Sequence, residues 1–248
     1  MSDKVSIVVP VFNAEGCIAD TINSCLGQLH EDIELLLVDD GSTDDSVSVM
    51  ERYASDRVRV LRNHGEKGAA GARNTGIDAA TGRYVAFIDA DDLWDKEKLS
   101  KQVAFMKEKD AAFSFTGYEF ADETGRGLGK IVRVPETITY KEALKNTTIF
   151  TSTVMFDMEK LSKDDILMPC IKSEDTATWW KVLKKTKVAY GLDESLVLYR
   201  RLGASLSSDK IEAIRRIWNL YRRQEHLGLI YSIYCFCFWA FRAVARRV

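Results

Sequence analysis

From Val5 to Trp94 the chain alternates between short apolar runs and segments with apolar residues at helical spacing, a rhythm that few architectures can accommodate. Val5–Phe12 (VSIVVPVF) reads as a strand without polar alternation, the pattern of a strand covered on both faces. A helix is predicted from Glu15, with Ile18, Ile22, Cys25 and Leu26 on one face. Ile33–Asp40 (IELLLVDD) is a second strand. The segment from Gly41 (GSTDDSVSVMERYA) opens with capping residues, where Ser42 or Thr43 serves as well as an aspartate, and continues with Val47, Met50 and Tyr53 on an apolar face. Arg57–Asn63 is a third strand, and the small-residue helix from Gly68 (GAAGARNTGIDAA) must lie close to something. Gly82 and Arg83 lead into a fourth strand, Tyr84–Ile88. Strands joined this way predict an α/β fold: a parallel, doubly wound, Rossmann-like sheet with right-handed crossovers and helices on both faces.

Past Trp94 the pattern loosens. Lys96–Lys109 predicts a helix and Ala111–Phe120 a strand, while the glycine-rich, charged stretch Asp122–Val134 reads as a turn region and a mobile loop. Thr151–Asp157 (TSTVMFD) reads as another strand. Ser173–Lys185 (SEDTATWWKVLKK) should be a helix capped by Ser173, with Asp175, Trp179 and Val182 near one face. VAYG and SLVLYRR read as two short strands, and Ile211, Ile214, Trp218 and Tyr221 mark a further helix. At 248 residues, without repeat or linker, the chain suits one domain over residues 1–207 with a C-terminal helical extension over 208–248.

A net charge of -2 points to no nucleic-acid partner. Cys17, Cys25, Cys170, Cys235 and Cys237 form neither a disulfide framework nor a zinc spacing, and strand-like residues begin at Val5 with no leader before them. A cytoplasmic protein is the expectation. The tail differs in kind. LGLIYSIYCFCFWAF is an uncharged run, shorter than the roughly 20 residues a spanning helix needs. Arg215, Arg216, Arg222 and Arg223 precede it and RAVARRV follows. Such a helix can dock on its own domain, lie in a membrane surface or be buried in a homodimer; its aromatics and arginines favour the membrane interface.

In open parallel sheets ligands bind beyond the carboxyl ends of the strands. Two acidic clusters map there: Asp39 with Asp40, and Asp89 with Asp91 and Asp92. The loop Pro10 to Asn13 and the pair Arg73–Asn74 fall on the same edge. An Asp-x-Asp triplet alone means little, since chance supplies it often; its place at the end of a buried strand carries the weight. Clustered carboxylates with oxygen-only neighbours suit Mg²⁺ or Mn²⁺. A diphosphate facing bare aspartates would meet repulsion of about 4 kcal/mol per charge pair at 4 Å and an effective dielectric of 20, which a bridging cation turns into attraction. Neither a G-x-x-x-x-G-K-[ST] loop nor a G-x-G-x-x-G turn follows the first strand, which again favours metal-mediated phosphate binding.

In their order and spacing, VSIVVPVFNAE, LLLVDDGSTDDS, GAAGARNTGI, VAFIDADD and SEDTATWW resemble family 2 glycosyltransferases, inverting enzymes of the GT-A fold that use nucleotide sugars. The resemblance covers roughly Lys4 to Ser207. YRRLGASLSS is similar to bacterial enzymes that build capsule, O-antigen or teichuronic-type polysaccharides. On this resemblance Asp39 would accept the uracil N3–H, with Pro10, Phe12 and Asn13 walling the base and Glu15 nearby. The family more often has Tyr at the Phe12 position, so a hydroxyl contact would be missing. Asp40 would be the second acid of the nucleoside pocket and Arg73 a basic residue near the nucleotide. Asp89 would sit near ribose and metal, Asp91 would be the direct ligand of Mn²⁺ or Mg²⁺, and Asp92 would lie on the sugar side. Asp175 would be the catalytic base that deprotonates the acceptor hydroxyl. Glu174 competes for that role, and neighbouring helix positions point about 100° apart, so only one can face the sugar. Trp179 and Trp180 would line the acceptor site unless they are core residues, and at least one should be buried. Arg200 and Arg201 would reach the diphosphate, and Ser205 and Ser207 would order over the donor.

The implied reaction is transfer from a nucleotide sugar, UDP-linked by default although dTDP offers a similar N3–H, to a hydroxyl of a glycan acceptor. A lipid-linked acceptor at the cytoplasmic face of the inner membrane would suit the C-terminal helix. A nucleotidyltransferase is the rival, but such enzymes carry a glycine-rich basic loop after the first strand, where PVFNAEG has neither Lys nor Arg. A phosphoryl receiver would need its acidic pair after the first strand, and this chain has none there.

Overall fold

The structure is a computed structural model that describes residues 2–146, 148–200 and 210–245. Its first part follows the alternation: β1 (Val5–Val11), α1 (Ile18–Leu26), β2 (Ile33–Asp39), α2 (Ser46–Glu51), β3 (Val58–Arg62), α3 (Ala69–Ala79) and β4 (Tyr84–Phe87). A two-residue strand β5 (Leu93–Trp94) and helix α4 (Lys98–Glu108) come next. The second part holds β6 (Phe113–Ala121), β7 (Gly127–Val132), β8 (Thr137–Thr139), α5 (Tyr140–Ala143), a 3₁₀ turn at Thr151–Thr153, β9 (Met155–Asp157), α6 (Lys163–Ile166), α7 (Glu174–Thr186) and β10 (Val188–Arg200). Helix α8 (Lys210–Asn219), a π-helical turn (Leu220–Gln224) and α9 (Leu229–Ala245) follow.

The strands form one sheet in the order β3-β2-β1-β4-β9-β6-β10-β5, with β7 on β6 and β8 on β10. β3, β2, β1 and β4 are parallel neighbours, the doubly wound half that the alternation predicts. β9 enters antiparallel between β4 and β6, and β10 runs parallel to β6. Side chains alternate across the sheet, so it has a core on each face. Val8, Leu36, Phe87, Phe113 and Phe156 pack under α3 and α7, while Ile7, Val9, Leu35 and Leu37 pack under α1, α2 and α4. The small residues of α3 have their reason here. A Cβ on Gly76 would lie 2.4 Å from Val8 Cγ1, so the helix can sit on β1 at this distance only with glycine there.

Several local expectations shift. Helix α1 begins at Ile18, not Glu15. Helix α2 begins at Ser46 with Asp45 before it, because Ser42 and Thr43 are bonded to the Asn13 loop. Ser173 precedes α7 in a left-handed conformation, φ 60°, and its side chain caps nothing. The stretch read as a mobile loop is a hairpin: the Asp122 carboxylate accepts the amides of Thr124 and Arg126, and Glu119 accepts that of Gly129. VAYG and SLVLYRR join into the long β10, whose register on β6 slips twice between Leu192 and Leu198. The start of TSTVMFD is a 3₁₀ turn rather than strand.

The C-terminal helices rest on the same core. Ile217, Leu220, Tyr221 and Cys235 are buried in the cluster that holds Trp179 and Trp180. Tyr221 stacks on Trp180 with centroids 5.5 Å apart and planes 3° from parallel, and its hydroxyl donates to the Leu144 carbonyl. Among the described residues no helix is long and apolar enough to cross a membrane.

Candidate active site

The carboxyl ends of β1, β2 and β4, the first turn of α3, Phe150 and Tyr199 surround a cleft of about 770 Å³. Pro10, Phe12 and Asn13 wall one side of it. Asn13 sits at φ 47° and is pinned there: its side-chain oxygen accepts the Thr43 amide at 2.8 Å, and its own amide donates to Ser42 Oγ at 3.1 Å. Phe12 is half exposed with Lys67 Nζ 4.9 Å from its ring centroid. Glu15 faces away from the cleft. Its carboxylate accepts the Asp45 amide at 2.8 Å, and Asp44 accepts the Glu15 amide at 3.0 Å, so this pair fixes the entry to α2.

The two acids after β2 are buried and already hydrogen-bonded. Asp39 accepts the amides of Gly41 and Ser42 at 3.1 and 2.9 Å. Asp40 accepts Asn63 Nδ2 at 2.6 Å and the Gly68 amide at 2.8 Å, which anchors the start of α3 at the cleft wall.

Arg73 of α3 is the cation at the centre. It is buried, and it donates from Nη2 to Asp89 at 2.6 Å and from Nη1 to Glu174 at 2.8 Å. Burial works against its charge, but Asp89 and Glu174 outweigh burial and raise its pKa further. Glu174 is pushed above the usual carboxylate range, first by burial and then by Asp175, with Arg73 opposing. Glu174 is therefore held by Arg73, whereas its neighbour Asp175 faces Thr151, whose hydroxyl donates to Asp175 Oδ2 at 3.3 Å. The other Asp175 oxygen accepts the Thr176 amide at 2.6 Å, at the positive end of α7.

Ser152, which follows Thr151 in the 3₁₀ turn, is bonded to the aspartate loop. Its Oγ accepts the Asp89 amide at 3.0 Å and donates to Asp92. A single turn thus ties the acid at the head of α7 to the loop after β4. Within that loop the three aspartates differ sharply. Asp89 pairs with Arg73. Asp92 is fully buried and accepts Ser152 Oγ and the Arg200 amide; burial, then Asp89 and Asp91, drive its pKa well above the usual range. The position expected for Asp92 on the sugar side is corrected, because the residue is part of the loop's foundation. Asp91 remains at the cleft, and no side chain among the described residues hydrogen-bonds its carboxylate. Burial, with Asp89 adding to it, lifts Asp91 to about 6.

Arg200 is also corrected. It is buried at the end of β10, where Nε donates to the Asp91 carbonyl, Nη1 to Asp20 at 3.0 Å, and Nη2 to the Cys17 carbonyl and Thr21 Oγ1 at 3.1 and 3.3 Å. It clamps the aspartate loop onto α1 and does not reach out toward a diphosphate. Trp179 and Trp180 are corrected from acceptor platform to core: both are buried, the first among Phe87, Phe113 and Phe156, the second against Tyr221. Arg201, Ser205 and Ser207 lie outside the described residues. Sequence reasoning missed Lys67, Phe150, Thr151, Ser152 and Tyr199, which line or support the cleft. For Thr151 and Ser152 the β-branched run TSTV hid the turn.

The family model for glycosyl transferase family 2 matches residues 6–165. The chain is 43% identical over 247 residues to the putative teichuronic acid biosynthesis glycosyltransferase TuaG of Bacillus subtilis, covering 98% of this chain and 97% of that one. It is 36% identical over 217 residues to the UDP-Glc:alpha-D-GlcNAc-diphosphoundecaprenol beta-1,3-glucosyltransferase WfgD of Escherichia coli, covering 87% and 84%. Among solved structures it is similar to S. aureus TarS 1-349 in complex with UDP-GlcNAc, with a TM-score of 0.71, 23% identity, and 96% and 71% of the two chains covered.

Proposed function

The chain belongs to glycosyl transferase family 2 and is a glycosyltransferase, and from that premise we propose an inverting transfer of a sugar from a UDP-sugar to a hydroxyl of a lipid-linked glycan acceptor, in the synthesis of a bacterial surface polysaccharide. The observation that carries it is the division of labour at the head of α7. Arg73 holds Glu174, whereas Asp175 pairs with no cation among the described residues and accepts the hydroxyl of Thr151, the neighbour of Phe150 in the cleft wall. A carboxylate so placed takes the proton from the acceptor hydroxyl as that hydroxyl attacks the anomeric carbon from the face opposite the leaving diphosphate.

The names of two relatives support the substrate classes: one works in teichuronic acid biosynthesis, the other takes UDP-Glc and a diphosphoundecaprenol-linked sugar. On the nucleotide side, Asp39 keeps acceptor capacity beyond its two amide bonds and suits a uracil N3–H, with Asp40 shaping the pocket wall and Phe12 offering a ring face. Mn²⁺ or Mg²⁺ fits with Asp91 as its protein ligand and Asp89 beside it. Among the described residues no three His, Cys, Asp or Glu side chains cluster to hold a metal, so donor phosphates and water would complete the shell, as such ions prefer. A cation there would stabilise the departing diphosphate as a Lewis acid. Residues 1–207 would carry the transfer, and 208–248 would keep the enzyme peripheral at the cytoplasmic face of the inner membrane.

The test follows released product with UDP-sugars and a diphosphoprenyl-linked acceptor. Release of UDP by the wild type and its loss in Asp175→Asn support the reading; release of pyrophosphate would make the chain a nucleotidyltransferase instead.

A further inference from the structure

Helix α9 is apolar on both of its faces. Ser232 and Cys235 are buried against the domain, with Phe236 and Trp239 packed beside them. The opposite face carries Ile230, Ile233, Tyr234, Phe238 and Phe241, spaced at i, i+3, i+4, i+8 and i+11, so they form one stripe. These side chains stand in the open: Ile230 is 86% exposed, Phe241 73% and Ile233 48%. An amphipathic surface helix puts charges where this one puts isoleucine and phenylalanine. A contiguous apolar stripe of this kind marks a surface that is covered in use.

We infer that this stripe lies in the surface of an anionic lipid bilayer. The alternative cover, a second copy of the chain, is disfavoured by the charges around the stripe. Arg222 and Arg223 are exposed at its head, Lys145 reaches over the Tyr234 and Phe238 rings at 5.9 and 6.0 Å, and Arg242 closes its far end. No Asp or Glu occurs from His226 to Val248, and Arg246 and Arg247 follow in sequence, so Glu142, near Lys145 and Arg242, offsets only part of this positive charge. Two such faces brought together would set cation against cation, whereas anionic headgroups complement them. Over the described residues the helix runs 17 residues, about 25 Å at 1.5 Å per residue, short of a core of roughly 30 Å. It therefore lies in the interface plane, with aromatic rings at headgroup level and arginines outside. The tail is packed on α7: the π-helical turn before α9 carries Tyr221, which stacks on Trp180 of the helix whose head bears Asp175.

This inference deepens the reading of a lipid-linked acceptor and rests on that reading for its purpose, but its test needs no sugar chemistry. The full chain is sedimented with vesicles of phosphatidylglycerol and phosphatidylethanolamine, and with pure phosphatidylcholine. Binding to the first, at least about tenfold weaker binding to the second, and loss with added salt are expected. Ile230→Ser with Phe241→Ser should weaken vesicle binding by about tenfold or more while the unfolding midpoint stays put, since neither side chain is packed. Arg222→Ser with Arg223→Ser should weaken binding to the anionic vesicles alone. A wild-type chain that ignores anionic vesicles overturns the inference, as does a dimer in sedimentation equilibrium that the Ile230/Phe241 variant dissociates. Vesicle binding without any sugar transfer would instead count against the proposed reaction.

Discussion

Arg73 and Glu174 lie 101 positions apart and meet at 2.8 Å, and this contact separates the roles of two adjacent carboxylates at the head of α7. Glu174 is paired with a buried guanidinium, while Asp175 accepts only the Thr151 hydroxyl and the Thr176 amide, and the proposed reaction gives it the role of base. Asp175→Asn should lower kcat by about 10²–10⁴-fold, the usual worth of a positioned base. Glu174→Gln keeps a hydrogen-bond acceptor for Arg73 and should retain turnover within about tenfold of wild type, with a lower unfolding midpoint because Arg73 loses half of its charge compensation. Steady-state rates of UDP release for the two variants decide the matter, and the assignment fails if Glu174→Gln is the more damaging.

Lys98 gives a pH signature. It is fully buried, its Nζ has no hydrogen-bond partner, and it sits 3.7 Å from the Trp94 ring centroid. The ring face favours the cation by about 2 kcal/mol, but desolvating an ammonium costs several, so burial wins and the pKa falls well below the ordinary lysine value. The unfolded chain then holds a proton that the folded one releases. Between the depressed folded pKa and the ordinary value of 10.5, stability should rise with pH, and it should be lost as pH falls through that window. Lys98→Met removes the penalty and should stabilise the protein at neutral pH by about 1–3 kcal/mol. Urea unfolding from neutral to alkaline pH should show a slope in the wild type and a flatter line in the variant.

What was legible in the sequence was local. The strands β1 to β4 and their helices announce themselves by periodicity, and the acidic residues fall where parallel strands end. Long-range partnerships were not legible. Arg200 looks like a cation at a strand end near a ligand edge; only the fold shows that Asp20 and the Cys17 carbonyl, some 180 positions earlier, take its guanidinium. Trp179 and Trp180 are neighbours on a helix, which ordinarily exposes one of them. Both are buried because α7 lies between the sheet and the π-helical turn, giving each ring its own wall. Asp92 reads like its neighbours in Asp-x-Asp-Asp, yet the clamp on its loop turns it inward.

The contact between α3 and β1 predicts a steric pair. Gly76→Ala places a methyl 2.4 Å from Val8 Cγ1 and should destabilise by about 1–3 kcal/mol. Val8→Ala opens a cavity and should cost about 1–3 kcal/mol by itself. The two together should be less destabilising than the sum of the singles, because the second makes room for the first. Denaturant midpoints of the four proteins test this, and strict additivity would mean that the helix moves away instead.

Arg200 and Asp91 separate loop architecture from ion binding. Arg200→Met leaves the Asp91 and Cys17 carbonyls and Thr21 Oγ1 without their shared donor, and takes its cation from the exposed Asp20. That loss should lower stability by about 3 kcal/mol and loosen the loop that presents Asp91. Donor affinity should fall with it, through KM more than through kcat, since the carboxylates at the head of α7 to which the proposal gives the reaction are untouched. Asp91→Asn should behave oppositely. Burial already works against the Asp91 charge, so the fold should stay at least as stable, while the effect of Mn²⁺ on UDP-sugar binding should disappear. Thermal unfolding and donor titration, each with and without Mn²⁺, place the variants on a two-way grid. An Arg200→Met protein with unchanged stability and weakened donor binding would return this arginine to the diphosphate, and an Asp91→Asn protein that still responds to Mn²⁺ would take the metal away from Asp91.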